Sequence, residues 1–568
     1  MFSKRFYKVA EKPSFEIESA LANYEPIVRK LLYNRGLHTV EEAEAFLSPN
    51  YDTQLRDPFL LPGMEVAVNR ILKAIDEREK IVIYSDYDCD GIPGAVILHD
   101  FFSAIGHSDF SNYIPHRHYD GFGLKTKSLK KMASYEPKLI ITIDCGTTDY
   151  EAVSVANEMG IDVIITDHHE PKKVIPEAVA VVNPNVPPGY PFAGLCGAGV
   201  VFKLVQALIS RGEFNISPGR EKWWLDMVGI ATIADMVPLI DENRVLAHFG
   251  LTVLRKSRRP GLQNLLRRQR VKQSNLNEED IGFTIGPRIN AASRMDTPED
   301  AFRLLATTDV AEAVTIVDHL ERLNNERKGL VASMSKEANV RLNKFTELPA
   351  VLVFGDPQWR PSLVGLVAGS LAEKHDRPTF LWGRDGNGVL KGSCRSNGKI
   401  SVLKLMEGAS DSLEEYGGHH FSGGFSVYES SVHNLFDRLQ NVYDTLGDVV
   451  KVEQVPLVEE ELSLGDIDEN FVQSQKRIGP FGVGNQKPLY AFNDVRPKAI
   501  TFFGKSKDHI KITFDTKGVA KEAIAFFKDI SQFSHIPEVG EVCTLLAYVE
   551  ESFFMNHRQV RLRLFDIV

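Results

Sequence analysis

The chain has 568 residues, with 76 acidic against 66 basic side chains, a formal net charge of −10, 43% hydrophobic content and 25% charged content. Those totals suit a soluble globular protein of about three to four domains, and they disfavour non-specific coating of nucleic acid while leaving room for a local basic groove. No apolar run approaches the roughly 18 residues of a membrane span, no apolar segment follows the cationic start, and the five scattered cysteines form no Cys-x-x-Cys pair, so a reducing, cytoplasmic setting is expected, with no signal peptide, disulfide framework or membrane partner.

Residues 1–60 read as a helical arm ending near Pro58 and Pro62. Residues 61–308 carry an α/β pattern. Within it, the apolar runs Ile81–Ser85, Leu139–Ile143 and Val163–Thr166 are unbroken and β-branched, as strands buried on both faces of a parallel sheet are. Helical patterns, such as Gly94 to Phe102 and Tyr150 to Glu158, separate them, and Asn183–Gly189 reads as a loop. Residues 309–345 have almost no Gly or Pro; as one helix from Asp309 to Lys344 they would span about 54 Å, with Gly329 a candidate break, and a helix of that length is expected to link two domains. Residues 346–450 open a second α/β domain at Ala350-Val351-Leu352-Val353-Phe354, and in residues 451–568 about five short strands suggest a small OB-type β-barrel.

Each of the three early strands ends in acid: Asp86-Tyr87-Asp88-Cys89-Asp90-Gly91, Asp144, and Asp167-His168-His169. Ligands collect beyond the carboxyl ends of such strands, so these groups would meet at one rim, where like charges repel unless a cation is shared. Asp235 is a further acid at the end of an apolar run. The first acid segment also resembles the opening of an EF-hand loop, but the twelfth position, which needs a bidentate Glu, is Ile97. Oxygen-rich ligation with one or two imidazoles suits Mn²⁺ or Mg²⁺ better than zinc, and the number of carboxylates is enough for two ions.

Asp-x-Asp-x-Asp-Gly, the strand-end Asp144 and Asp167-His168-His169, in that order, resemble the DHH phosphoesterases. Pro115-His116-Arg117-His118-Tyr119-Asp120-Gly121-Phe122-Gly123-Leu124, Leu195-Cys196-Gly197-Ala198-Gly199-Val200, Ile285-Gly286-Pro287-Arg288-Ile289-Asn290-Ala291-Ala292, Gly392-Ser393-Cys394-Arg395-Ser396, Gly417-Gly418-His419 and Gly479-Pro480-Phe481-Gly482-Val483-Gly484-Asn485 narrow the resemblance to the RecJ family of single-strand-specific 5′→3′ exonucleases. The resemblance implies that residues 61–308 are a DHH catalytic domain, 346–450 a DHH-associated substrate-binding domain, and 451–568 an OB-fold nucleic-acid-binding domain. It places Asp86, Asp88, Asp90, Asp144, His168 and Asp235 on metal-ligand positions, for two Mn²⁺ or Mg²⁺ ions. His169 falls where metal or the scissile phosphate is contacted, so that Asp88, Asp90, Asp144, His168 and His169 form the catalytic group. Gly392, Ser393, Arg395, Gly418 and His419 fall on substrate-binding motifs, and Arg117, Arg288, Asn290 and Arg294 lie along the nucleic-acid path. The implied reaction is hydrolysis of single-stranded DNA to 5′-mononucleotides in DNA repair and recombination, by a monomer with helicase and single-strand-binding proteins as partners.

Phe502, Phe503, Phe553 and Phe554, with Lys498, Lys505, Lys507, Lys511, Arg558, Arg561 and Arg563, are the candidate strand-binding groups of the barrel. The chain departs from the family pattern at Arg360 and Ser362, at Ser293, at Ile92-Pro93-Gly94 and at Cys145, none of which removes a ligand. An oligonucleotide or cyclic-dinucleotide phosphodiesterase and a catalytically silent replication scaffold are the rival readings. The arm and barrel argue against the first, the complete ligand set against the second.

Overall fold

The acid-terminated apolar runs form the middle of a five-stranded parallel sheet in this computed structural model, which describes residues 7–396, 398–446, 455–504, 509–516, 519–526, 528, 532–554 and 557–568, apart from the side chains of 552–558. Two compact units divide the chain. One comprises Arg56–Val237 and Phe249–Val452; the other gathers Met1–Leu55, Pro238–His248 and Glu453–Val568.

In the first unit the sheet consists of β1 (Ile81–Ser85), β2 (Phe110–Tyr113), β3 (Leu139–Ile143), β4 (Asp162–Thr166) and β5 (Ala180–Val182), in spatial order β2-β1-β3-β4-β5. Every residue of β1 and β3 is buried. On one face Leu129, Met132, Ala152, Val153 and Ala156 pack on Val82, Tyr84, Ile140, Val163 and Ile165. On the other lie α1 (Gly91–Ala104) and, after α2 (Tyr150–Glu158) in the chain, α3 (Gly197–Arg211). The register matters for function. Ser85 is level with Ile143 and Ile143 with Thr166, so the next residues of the three strands, Asp86, Asp144 and Asp167, leave the sheet at one height.

Helices α4 (Leu225–Ala234) and α5 (Gly286–Met295) follow, then α6 (Val310–Leu342). The 33 residues of α6 run unbroken through Gly329, about 50 Å at 1.5 Å per residue. A Cβ at Gly329 would meet nothing within 4 Å, so this glycine is an exposed helical position and not a hinge. The second sheet of this unit contains β6 (Leu352–Gly355), β7 (Thr379–Arg384), β8 (Leu390–Arg395), β9 (Leu413–Gly418) and β10 (Ser422–Val427), in the order β9-β10-β8-β7-β6, flanked by α7 (Pro361–His375).

The second unit is built on a seven-stranded sheet: β11 (Glu460–Leu462), β12 (Leu489–Val495), β13 (Ala499–Phe503), β14 (His509–Thr516), β15 (Val519–Ala525), β16 (Cys543–Phe554) and β17 (His557–Ile567), ordered β11-β12-β16-β17-β15-β14-β13. The sequence pattern predicts about five of these strands; β11 and β12 are additional. The N-terminal arm belongs to this unit. Lys8–Val9 pairs in parallel with Leu457–Val458, and Leu21, Val28, Leu31, Leu32 and Ala43 bury Ile478.

Candidate active site

The turn after β1 is shaped by its own acids. The Asp88 carboxylate accepts the N–H groups of Asp90 (2.9 Å) and Gly91 (3.2 Å), which turns the chain into α1. Asp90 is held by the N-terminal turn of α3: Gly197 N–H donates at 2.6 Å and Ala198 N–H at 2.7 Å, where the helix dipole favours an anion. Asp144 has φ of 60°, the left-handed region that disfavours a side chain and costs about 1–3 kcal/mol. This conformation directs its carboxylate into the acid cluster. Asp235 closes the C-terminus of α4 and is followed by Met236 at φ 61°.

These elements converge. His168 Nε2 lies 3.1 Å from Asp144 Oδ1, 3.7 Å from Asp90 Oδ2 and 3.8 Å from Asp235 Oδ2. Three groups offer ligand atoms all within 4.8 Å of one another: Asp86, Asp88 and Asp144; Asp90, His168 and Asp235; and Asp144, His168 and His169. Asp144 and His168 each belong to two of them.

The electrostatics call for a cation. Burial pushes the Asp86 carboxyl well above its usual range, and Asp88 adds to the shift. Burial does the same to Asp144, reinforced by Asp90, Asp88, Asp86 and Asp235. Asp235 rises to about 9 through burial and then through Asp90 and Asp88. Burial also raises Asp90, with His168 opposing, and keeps His168 below its ordinary value, which suits a neutral imidazole ligand. Asp86 Oδ1 and Asp144 Oδ1 are buried without a hydrogen-bond donor. Bare, buried carboxylate oxygens beside an imidazole fit hard divalent ions.

Asp167 does different work. Its Oδ1 accepts the N–H of His168 (2.8 Å) and of His169 (3.2 Å), and lies 2.8 Å from His169 Nδ1, while Oδ2 accepts Thr147 N–H at 3.0 Å. Burial would lower the His169 imidazole, but Asp167 outweighs it and raises His169 to about 9. Asp167 itself falls well below the carboxylate range, because its hydrogen bonds to His169 and Thr147 overcome the cost of burial. Asn183, fully buried, donates to Thr147 Oγ1 and to the His169 carbonyl, each at 2.9 Å, and Asn185 donates to the His168 carbonyl at 2.6 Å. Sequence reasoning missed Thr147, Asn183 and Asn185 as parts of this site, and it did not assign Asp167 a role. The signal available was Asn183-Pro184-Asn185, which read only as a loop.

Beside the acids lies a set of guanidiniums. Arg117 sits 4.9 Å over the Tyr87 ring, between two of the acids in sequence. Arg294, on α5, donates to the Ser362 carbonyl at 2.7 Å, and Ser362 Oγ returns a bond to the Arg294 carbonyl at 2.8 Å, which joins α5 to α7. Burial and the neighbouring Arg117 and Arg327 lower Arg294 to about 9. Burial lowers Arg395 too; Cys394 opposes the shift and Arg117 adds to it. Like charges gathered in this way favour an anion between them.

The remaining candidates divide by what they touch. Ser393 and Arg395 lie under Gly365 of α7, whose absent Cβ would stand 3.1 Å from Arg395 Nη2 and 3.3 Å from Ser393 Oγ. Gly392 is required by packing: a Cβ there would meet Phe425 at 2.2 Å. Gly418, at φ 148°, turns the β9–β10 hairpin, leaving His419 exposed with its N–H on the Ser422 carbonyl. Asn290 is half-buried on α5. Arg288 is a correction. Its guanidinium is buried against Glu321 (2.7 Å), the Thr284 carbonyl (2.8 Å) and Gln269, so it ties α5 to α6 and is not free for nucleic acid.

Residues 80–232 match the DHH family, N-terminal domain; 348–445 match the DHHA1 domain; and 458–566 match the RecJ OB domain. The chain is 34% identical over 547 residues to the single-stranded-DNA-specific exonuclease RecJ of Bacillus subtilis, covering 95% of this chain and 68% of that protein. The chain belongs to the RecJ family. The RecJ of Haemophilus influenzae is 29% identical over 98% of both chains. Among solved structures, RecJ of Thermus thermophilus in complex with Mn²⁺ aligns at a TM-score of 0.81 with 27% identity, covering 99% of this chain and 79% of that one. An exonuclease RecJ bound to manganese aligns at 0.61 with 33% identity over 70% and 98%.

In the OB domain of this RecJ-family chain the expected strand-binding groups are largely engaged. Phe502 packs against the core. Lys498 pairs with Asp515 at 3.1 Å, Lys511 with Glu522 at 3.3 Å, and Arg563 and Arg561 stand 3.6 and 4.0 Å from Glu550. Phe503, His509 and Phe526 form a ring cluster with centroids 5.0–6.1 Å apart, with Arg561 5.6 Å over Phe526. Lys505, Lys507 and the side chains of Phe553, Phe554 and Arg558 lie outside the described residues. Of the departures from the family pattern, Ser293 and Cys145 are buried, and Arg360 lies 3.5 Å from Glu326.

Proposed function

We propose that the protein is a divalent-metal-dependent exonuclease that degrades single-stranded DNA from the 5′ end to 5′-mononucleotides, in DNA repair and recombination. The observation that carries this reading is the overlap of ligand groups at one sheet rim, with Asp144 and His168 shared and two buried carboxylate oxygens left bare. Asp86, Asp88 and Asp144 would hold one Mn²⁺ or Mg²⁺, and Asp90, His168 and Asp235 would hold a second. When bound, such ions polarise phosphoryl oxygens and make hydroxide available near neutral pH.

The chain's own groups do the rest. Asp167 keeps the His169 imidazole charged and its ring fixed through Nδ1, which leaves Nε2 to donate to a phosphate oxygen. Arg117, Ser393, Arg395 and His419 grip the backbone, with Arg294 and Asn290 along the path. Contacts of this kind position the strand and carry no base information. All of the proposed groups come from one chain, and we take the protein to act as a cytoplasmic monomer whose single strands are supplied by a helicase and a single-strand-binding protein.

Digestion of a single strand labelled at each end in turn tests the reading. A 5′ label should appear first as a mononucleotide, chelation should stop the reaction, and Mn²⁺ should restore it. Release of a 3′-labelled mononucleotide first, or full activity in chelator, would refute it.

A further inference from the structure

Outside the cleft, residues 254–273 carry eight Arg and Lys and no Asp or Glu, in a chain of net charge −10. Arg259 is consumed in the interior, by Asp226 (2.8 Å) and Asp100 (2.6 Å), and Arg268 pairs at the surface with Asp318 (3.4 Å). Arg255, Lys256, Arg258, Arg267, Arg268, Arg270 and Lys272 are exposed. The fold brings the two ends of the segment together. Gln273 Nε2 donates to the carbonyls of Leu254 (2.9 Å) and Ser257 (2.8 Å), and Arg255 Nε donates to the Leu276 carbonyl. The helix Pro260–Arg268 between them is capped by Gln269 and followed by Arg270, which adopts φ 59°. That position usually takes glycine; the chain holds a strained arginine there.

Next to this strip is a groove of about 370 Å³ lined by Asn264, Arg267, Arg268, Arg270 and, from α6, Val314, Val317 and Asp318. Val314 is 45% exposed, so the groove has an apolar wall under a guanidinium rim. Gln269, in the turn after the helix, bonds Arg288 of α5. Arg294, which faces the acids, lies six residues, or about 240°, further round α5, so strip and acid cluster lie on different sides of that helix.

We propose that this strip and groove are a second binding surface for single-stranded DNA, taking the strand's undigested part outside the cleft. The inference rests on the exonuclease reading for its substrate class. Cations neutralise successive phosphates, and a splayed base packs on the exposed Val314 beneath an arginine plane. A rigid duplex presents no splayed base, which is why the groove favours a single strand.

The test is a quadruple variant, Lys256→Gln, Arg258→Gln, Arg270→Gln and Lys272→Gln, compared with the unaltered protein on a 5′-phosphorylated hexamer and a 40-mer. Thermal melting confirms folding. Hexamer cleavage should be unchanged. Affinity for the 40-mer should fall at least about tenfold, and the slope of log affinity against log salt should become shallower by about three, from roughly 0.7 per lost phosphate contact. Unchanged 40-mer affinity and slope would overturn the surface. So would an equal loss on the hexamer, which would place the strip in the cleft, or loss of binding to a poly-aspartate peptide with 40-mer affinity intact, which would make it a protein-docking site. If the unaltered protein cleaves neither oligonucleotide, the exonuclease reading fails by itself, and the 40-mer binding arm still decides the surface.

Discussion

Gly197→Ala adds one methyl group at the point where α3 meets the acid cluster. The new Cβ would stand 2.7 Å from Asp144 Cβ and 2.9 Å from Asp144 Oδ1, against the 3.5–4.0 Å of an ordinary carbon contact. Asp144 or the helix must therefore move by about 0.8 Å or more. Overpacking of this size costs about 1–3 kcal/mol, which a chain of this size survives. The functional cost is larger, because about 1 Å of misplacement at a reacting centre is worth roughly 10²-fold in rate. Asp144 belongs to two ligand groups, and Gly197 N–H holds Asp90, so both halves of the cluster should be disturbed. Gly199→Ala is the control from the same motif, since its Cβ would have Cys196 Sγ at 3.6 Å and Leu195 at 3.8 Å as its nearest neighbours, both ordinary contacts. Single-turnover cleavage of a labelled strand, manganese titration by calorimetry and thermal melting should separate the two. Gly197→Ala should fold, bind manganese more weakly and turn over about 10²-fold more slowly, while Gly199→Ala should stay near the unaltered protein. A Gly197→Ala rate and manganese affinity within about threefold of the unaltered protein would refute the steric argument.

Asp167→Asn should let the His169 imidazole fall from about 9 toward its ordinary range, read by NMR titration of the metal-free protein, and should slow turnover by about 10²-fold; an unmoved titration would show that Asp167 does not set its charge. Metal-stripped protein should lose thermal stability as pH rises from about 4 to 9. Asp86, Asp144 and Asp235 have pKa values raised by folding, so the stability they supply is present below the unfolded value and lost through the folded one. Manganese should flatten that profile, and a stripped protein more stable at pH 9 than at pH 5 would contradict the assignment. Arg395→Ala should weaken turnover alike on all sequences and leave bound manganese unchanged; metal loss or a sequence-dependent defect would count against a backbone grip. In the OB domain, Phe526→Ala with Arg561→Gln should reduce strand affinity and salt slope while leaving cleavage at saturating DNA intact. A truncation near residue 450 would be a poorer test, because Arg244 of the inserted Pro238–His248 segment donates to the carbonyls of Phe46, Ile478 and Gly479 and a cut would strand those groups.

The strands that position the ligands were legible because burial on both faces writes unbroken β-branched runs. Phe110–Tyr113 and Ala180–Val182 were not, since they are the two edges of that sheet, the first only partly apolar and the second only three residues long. β12 escaped because Leu489–Phe492 shows no alternation to mark it, all four being buried. Most of the proposed metal ligands follow strand ends, where charge after an apolar run is conspicuous; Asp235 instead closes a helix. Their supports were hidden in register. Thr166 pairs with Val182, and only that pairing sets Asn183 level with Asp167. Arg288 misled for a related reason, as its partner Glu321 lies on α6, whose packing no local pattern reports. The arm joins the C-terminal unit through pairing of Lys8 with Leu457, a contact across almost the whole chain.

The acids of the rim fall into two kinds, and the difference explains how one cluster can be both ordered and reactive. Asp88, Asp90 and Asp167 accept backbone N–H groups, so their orientation is set by the turn after β1, by α3 and by the turn after β4. At Asp86 and Asp144 one oxygen is buried without a hydrogen bond, although Asp86 also takes a backbone bond from Tyr87, and burial drives both carboxyls well above their usual range. A donor supplied to them would stabilise the fold and occupy the lone pairs a cation needs. Withholding it leaves the fold to rely on protons at low pH and on metal near neutrality. Affinity for the ions and the pH dependence of stability are therefore two readings of the same unmet charge, and a substitution that relieves one should weaken the other.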